Sequence, residues 1–115
     1  MAKAQALVKE AQSTRSDKRA LMLTLWKAAA ETEYVAFRIA STFGYEDYQP
    51  ANVDEDPEVD QLEIAEQLLK EAQKSLVQKP QQSYDSVRKT VTILRKLYGA
   101  GEKVKKEGVP ETIDE

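Results

Sequence analysis

The chain has 115 residues, 32% of them charged, a net charge of -3, and neither cysteine nor histidine. That length supports one domain with a single modest core. The missing residue types exclude disulfides, zinc–thiolate and iron–sulfur sites, the Ser-His-Asp and Cys-His nucleophile schemes, and the commonest general base.

Small or apolar residues at Ala4, Leu7 and Ala11 mark a first helical segment. The strongest periodicity follows, from Asp17 to Phe43. Leu21, Leu25, Ala28, Thr32, Val35 and Ile39 alternate at spacings of three and four, and Met22, Trp26, Ala29, Ala36 and Ala40 widen the stripe. This pattern predicts a helix about 40 Å long, ended by Gly44 in the left-handed conformation. Trp26 is the largest core candidate, with its indole N–H bonded, and its truncation is then expected to cost ~3–5 kcal/mol. The same alternation reaches back through Lys18 and Thr14 to Ala4. Two readings stand: a turn at Ser13–Asp17 with Ser16 capping the second helix, or one unbroken helix from Ala2, about 60 Å long.

Gly44 to Asp56 reads as a loop, since Pro50 forbids a continued helix. Asp56-Pro57 has the chemistry of an N-cap and a first helical position, with Glu58 and Asp60 in the first turn of a third helix. Val59, Leu62, Ala65, Leu69, Ala72 and Leu76 form its stripe, which stops near Gln78-Lys79-Pro80. Gln81–Ser83 make the next connection, with Ser83 as cap. Tyr84, Val87, Val91, Leu94 and Tyr98 then define a fourth helix ending at Gly99.

The expected fold is all-α: an antiparallel up-down bundle of three long helices plus an N-terminal helical segment. Residues 1–98 form the bundle, with an acidic loop at 44–56, and residues 99–115 form a C-terminal tail with one turn of helix near Glu102–Glu107. The chain shows no apolar run suited to a signal peptide or a membrane span, so the expected location is cytoplasmic and no membrane partner is expected.

Charge is segregated along the chain. Glu46, Asp47, Asp54, Glu55, Asp56, Glu58, Asp60, Glu63 and Glu66 form an acidic block with no lysine or arginine among them, and a mainly basic block follows from Gln67 to Lys106. Such a dipolar layout selects partners and steers encounters. On the fourth helix Arg88, Thr92 and Arg95 form one polar row and Lys89 and Lys96 another, while Lys70 and Lys74 come from the third helix. A basic face about 25 Å long could track several phosphates of single-stranded RNA or DNA. A solvated face balanced by the chain's own acidic loop is the alternative, and the pI near 5.1 counts against a free-standing nucleic-acid binder.

Asn52 to Glu63 imitates the oxygen spacing of a calcium loop, with Asn52, Asp54, Asp56, Asp60 and Glu63 at positions one, three, five, nine and twelve. Pro57 stands where that loop needs glycine, and Pro50 denies it an entering helix, so the segment reads instead as an acidic linker. Glu31 with Glu33 and Glu63 with Glu66 are the paired carboxylates; without histidine they cannot build the Glu-x-x-His di-metal site of helical bundles. Gly99-Ala100-Gly101 lacks the strand and the Lys-Ser/Thr of a phosphate loop. No metal, cofactor or catalytic residue is expected. Tyr45 and Tyr48 are candidate interface anchors, unless they fold back over the end of the helices.

In architecture the chain resembles the small helical subunits of CRISPR effector complexes, through its helical stripes and the basic face at Arg88, Lys89, Arg95 and Lys96. That resemblance implies a non-enzymatic subunit of a nucleoprotein assembly, in contact with nucleic acid backbone and with other protein subunits. The stretch Leu25-Trp26-Lys27-Ala28-Ala29-Ala30-Glu31 is similar to HEPN-type bundles, whose ribonuclease members use a histidine that this chain lacks. The alternative function is a helical adaptor or homodimer binding protein only, through the Ala4–Leu25 register or the acidic loop.

Overall fold

A computed structural model describes residues 1–45, 51–53 and 60–107, with side chains as far as residue 100. The described residues fold into four helices, α1 (Ala2–Ser13), α2 (Lys18–Phe43), α3 (Gln61–Ser75) and α4 (Pro80–Glu107). Helix α2 packs on α1 and α4, and α3 packs on the same two. Among the described residues no helix is long and apolar enough to cross a membrane.

Of the two readings of the N-terminus, the break holds. Thr14 and Asp17 close the turn with backbone bonds to Ala11 and Thr14. The cap is Asp17 rather than Ser16: its backbone is extended and its carboxylate accepts from the Ala20 N–H at 3.2 Å. A carboxylate there also meets the positive end of the α2 dipole, which a serine hydroxyl does not. Helix α1 turns back onto the domain, and Ala4, Val8 and Ala11 are fully buried. The Ala4–Leu25 register is therefore broken, and its α1 part is consumed inside the chain.

Two linked clusters make the core. Ala4, Val8 and Ala11 meet Leu25, Ala28, Ala29, Leu62, Ala65, Leu69, Ile93 and Leu94; further along, Val35, Ala36, Ile39 and Ala40 meet Ala72, Tyr84 and Val87. Alanines at so many contacts let the helix backbones approach closely. Two glutamines lock α1 to α3. Gln5 Nε2 donates to the Leu69 carbonyl and to Gln73 Oε1 (2.7 Å), and Gln12 Nε2, seven residues on, donates to the Leu62 carbonyl and to Glu66 Oε1. Three buried hydroxyls donate to backbone carbonyls: Thr32 to Ala28, Thr90 to Ser86, and Ser83 to Ala72 across the α3–α4 turn.

Several boundaries differ from expectation. Helix α3 starts at Gln61 with Asp60 as its cap, accepting from the Leu62 and Glu63 N–H groups; Asp56, Pro57 and Val59 lie outside the described residues. Helix α4 begins at Pro80, so Ser83 is a buried helical residue and not a cap. Proline suits a first helical position, where no N–H partner is needed. Helix α4 also runs through Gly99 to Glu107, in place of the expected stop. Only Gly44, at φ +74°, takes the left-handed conformation among the described glycines. Glycine ends a helix by adopting that conformation, and Gly99 does not adopt it.

Trp26 is not in the core. It is 57% exposed, on the opposite side of α2 from Leu25, Ala28 and Thr32. The small side chains Ala28 and Ala29 fill the interhelical space instead, and close packing there leaves no room for an indole.

Candidate functional site

Part of the proposed phosphate face is engaged within the chain. Arg88 is largely covered: it donates to Asp85 Oδ1 at 2.9 Å, and its guanidinium lies 5.1 Å above the Tyr84 ring. Arg95 donates to Glu33 Oε1 at 2.6 Å, tying α4 to α2. Between them the Thr92 hydroxyl donates to the Ala51 carbonyl at 2.7 Å, so the backbone at residue 51 sits on the row that nucleic acid would have to follow. Lys70 pairs with Glu66 at 3.6 Å. Lys74, Lys89 and Lys96 are exposed, on the outer sides of α3 and α4. Lys70, Arg88 and Arg95 are thus matched by the chain's own carboxylates, which lowers the charge they offer to a phosphate.

The carboxylates are similarly occupied. Glu31 meets Lys3 at 3.8 Å, Glu33 meets Arg95, and Glu66 accepts from Gln12 and Lys70. Asp60, the ninth position of the calcium-like spacing, takes the Arg15 guanidinium on both oxygens at 2.9 and 2.7 Å while it caps α3. Desolvation pushes the Asp60 carboxyl up, but the Arg15 hydrogen bond and charge and the Leu62 and Glu63 amides together draw it below the ordinary aspartate value. Among the described residues no group of three acidic side chains could hold a metal ion. Asp54 and Asp56 lie outside the described residues.

Tyr45 folds back. Its ring stacks on Phe43 with centroids 6.1 Å apart and tilts against the buried Tyr84 at 5.1 Å, so it closes the end of the α2–α4 pair. Tyr48 lies outside the described residues.

The feature that the sequence reading passed over is the outer face of α2. Leu23, Trp26, Tyr34 and Phe37 are each 50–57% exposed, and Ala30 is exposed between them. Their spacings of three, four and seven place all five on one stripe, opposite the buried stripe of the same helix. The stripe runs about 21 Å. Its signal is present in the sequence as a second apolar periodicity, to which Trp26 belongs in place of the buried stripe. Arg38 lies 5.7 Å over the Tyr34 ring and holds it from one side. Beside the stripe runs a groove of about 420 Å³ lined by Trp26, Ala29, Ala30, Glu33, Arg95 and Tyr98. A second groove, about 490 Å³, lies at the other side of α2 between Met1, Ile39, Phe43 and Leu76. Large apolar side chains gathered on one exposed stripe are characteristic of surfaces that bind other macromolecules.

No family model, curated protein or solved structure matches this chain.

Proposed function

We propose that the chain is a non-enzymatic helical adaptor whose outer α2 face docks a helix of a protein partner. The observation that carries this reading is the stripe of Leu23, Trp26, Tyr34 and Phe37, half exposed on a helix whose opposite face already supplies the core. Aromatic side chains presented on a rigid helix are the usual anchors of helix-to-helix recognition. The scaffold is an antiparallel up-down bundle. Residue pairs whose numbers rise on one helix as they fall on the other support that topology: Gln5 with Gln73 and Gln12 with Glu66, Lys3 with Glu31 and Glu10 with Thr24, Glu33 with Arg95 and Tyr45 with Tyr84.

The test is a photo-crosslinking residue placed at Lys27, on the rim of the stripe, in the cells that make the protein. Adducts to protein from position 27, exceeding those from position 89 on α4, are the expected result. Equal labelling from both positions, or none from position 27, would remove the proposal.

A nucleoprotein subunit is the second reading, favoured by the exposure of Lys74, Lys89 and Lys96. In that reading the three lysines neutralise phosphate and the arginines hold the fold.

A further inference from the structure

Resting on the adaptor reading, we infer that the partner helix is α2 of a second copy of this chain, crossing in opposite sense with Ala30 at the two-fold axis. The outer stripe is close to self-complementary about that residue. Leu23 and Phe37 lie seven residues to either side of Ala30, Trp26 and Tyr34 four to either side, and Lys27 and Glu33 three to either side. In an antiparallel pair centred on Ala30, residue numbers opposite one another sum to twice thirty. Leu23 then faces Phe37 of the second copy, Trp26 faces Tyr34, and Lys27 faces Glu33. Each contact occurs twice, as a two-fold interface demands.

Charge selects that arrangement over the parallel one. Laid parallel, the same faces would set Lys27 against Lys27 and Arg38 against Arg38. Laid antiparallel, no like charges on the stripe are directly opposed: Lys27 meets Glu33, a carboxylate that Arg95 of its own chain also holds. Arg38 stays over the Tyr34 ring of its own chain, leaving the ring's other side to Trp26 of the second copy. Ala30 is the smallest side chain on the stripe and sits where the row Trp26–Ala30–Tyr34 meets the row Leu23–Ala30–Phe37. Closest approach of the two backbones therefore falls where least side chain stands in the way.

The area is of the right order. Four large side chains, each about half exposed, offer roughly 400 Å² per copy at ~200 Å² per side chain. That is an adequate apolar centre for a standard interface of about 800 Å² per partner, whose rim would come from Arg19, Lys27, Glu31 and Arg38.

The experiment uses the purified full chain. Sedimentation equilibrium over a concentration series should show a mass approaching twice the chain's 13.0 kDa, with Trp26→Arg weakening association at least about tenfold while leaving the helical signal and melting cooperative. Because the chain has no cysteine, Ala30→Cys introduces a single thiol, and a two-fold axis at this position brings two of them within disulfide range. Mild oxidation should convert Ala30→Cys, and not Lys89→Cys, to a covalent dimer. A strict monomer at every concentration overturns the inference, and so does a dimer that Ala30→Cys fails to trap. In either case, position-27 photo-adducts to a different protein would leave the adaptor reading standing, whereas their absence would remove both.

Discussion

Asp60 accepts both hydrogen bonds of the Arg15 guanidinium while the same carboxylate caps α3, so one side chain joins the α1–α2 turn to the start of another helix. Asp60→Asn keeps a competent cap and loses only the ion pair, an expected cost of up to ~1 kcal/mol for an exposed pair. Asp60→Ala loses the cap as well and should cost about 1–2 kcal/mol. The folded-state carboxyl is drawn below the ordinary aspartate value. Its contribution is therefore fully present above the unfolded value, near ~3.9, and is lost as pH falls through the lower folded value. Urea unfolding of the native chain and of Asp60→Asn should differ at neutral pH and converge in strong acid.

Trp26 and Leu69 separate surface from core. Leu69 is fully buried where α1 and α3 meet, and Leu69→Ala should cost about 2–5 kcal/mol. Trp26→Ala should cost under ~1 kcal/mol, measured on dilute chain by urea unfolding, because its indole fills no part of the core. A loss as large as that of Leu69→Ala would return Trp26 to the interior.

Gly44 and Gly99 should respond oppositely to the same change. Gly99 is helical, with open space where a Cβ would stand, so Gly99→Ala should stabilise the chain by about 0.4–1 kcal/mol. Gly44 sits at φ +74°, and Gly44→Ala should destabilise it by about 1–2 kcal/mol. Thermal unfolding of both variants decides whether α4 continues past residue 99.

Most of the helical layout was legible in the sequence, because a period of three and four on α2, α3 and α4 admits no other element. What the sequence concealed were competitions between similar chemistries. Asp17 and Ser16 are both fit caps, and only the turn geometry chooses. A glycine ends a helix at residue 44 and is carried through one at 99, since its own flexibility allows both. Nothing local in the sequence marks Gln5 and Gln12 as donors to the Leu69 and Leu62 carbonyls of α3. Arg95 is visible as a charge, but Glu33 lies on another helix and meets it only after folding, whereas Asp85 and Arg88 form an i,i+3 pair that helical spacing alone implies. The outer α2 stripe is concealed for a similar reason: Trp26 fits the buried periodicity as well as the exposed one, and without it Leu23, Tyr34 and Phe37 make no pattern.

The basic face makes a separate prediction. In anisotropy titrations of a labelled single-stranded oligonucleotide at about 50 and 200 mM salt, any binding that weakens with salt should depend on Lys74, Lys89 and Lys96. Arg88→Ala and Arg95→Ala should lower the melting temperature and leave that binding unchanged, because their charges are spent on Asp85 and Glu33. Loss of binding in the arginine variants, with melting intact, would place Arg88 and Arg95 on the phosphate-binding face instead.

Trp26 is the chain's single tryptophan, so an isotopic or fluorine label there reports the outer α2 face alone. Fluorine NMR of 5-fluorotryptophan-labelled chain, first dilute and then concentrated or mixed with unlabelled extract of the cells that make it, tests the docking claim most directly. The account predicts one solvent-exposed resonance in the dilute chain, and its shift and broadening when a partner becomes available. A resonance already buried in the dilute chain, or one that stays solvent-exposed under every condition, would contradict it.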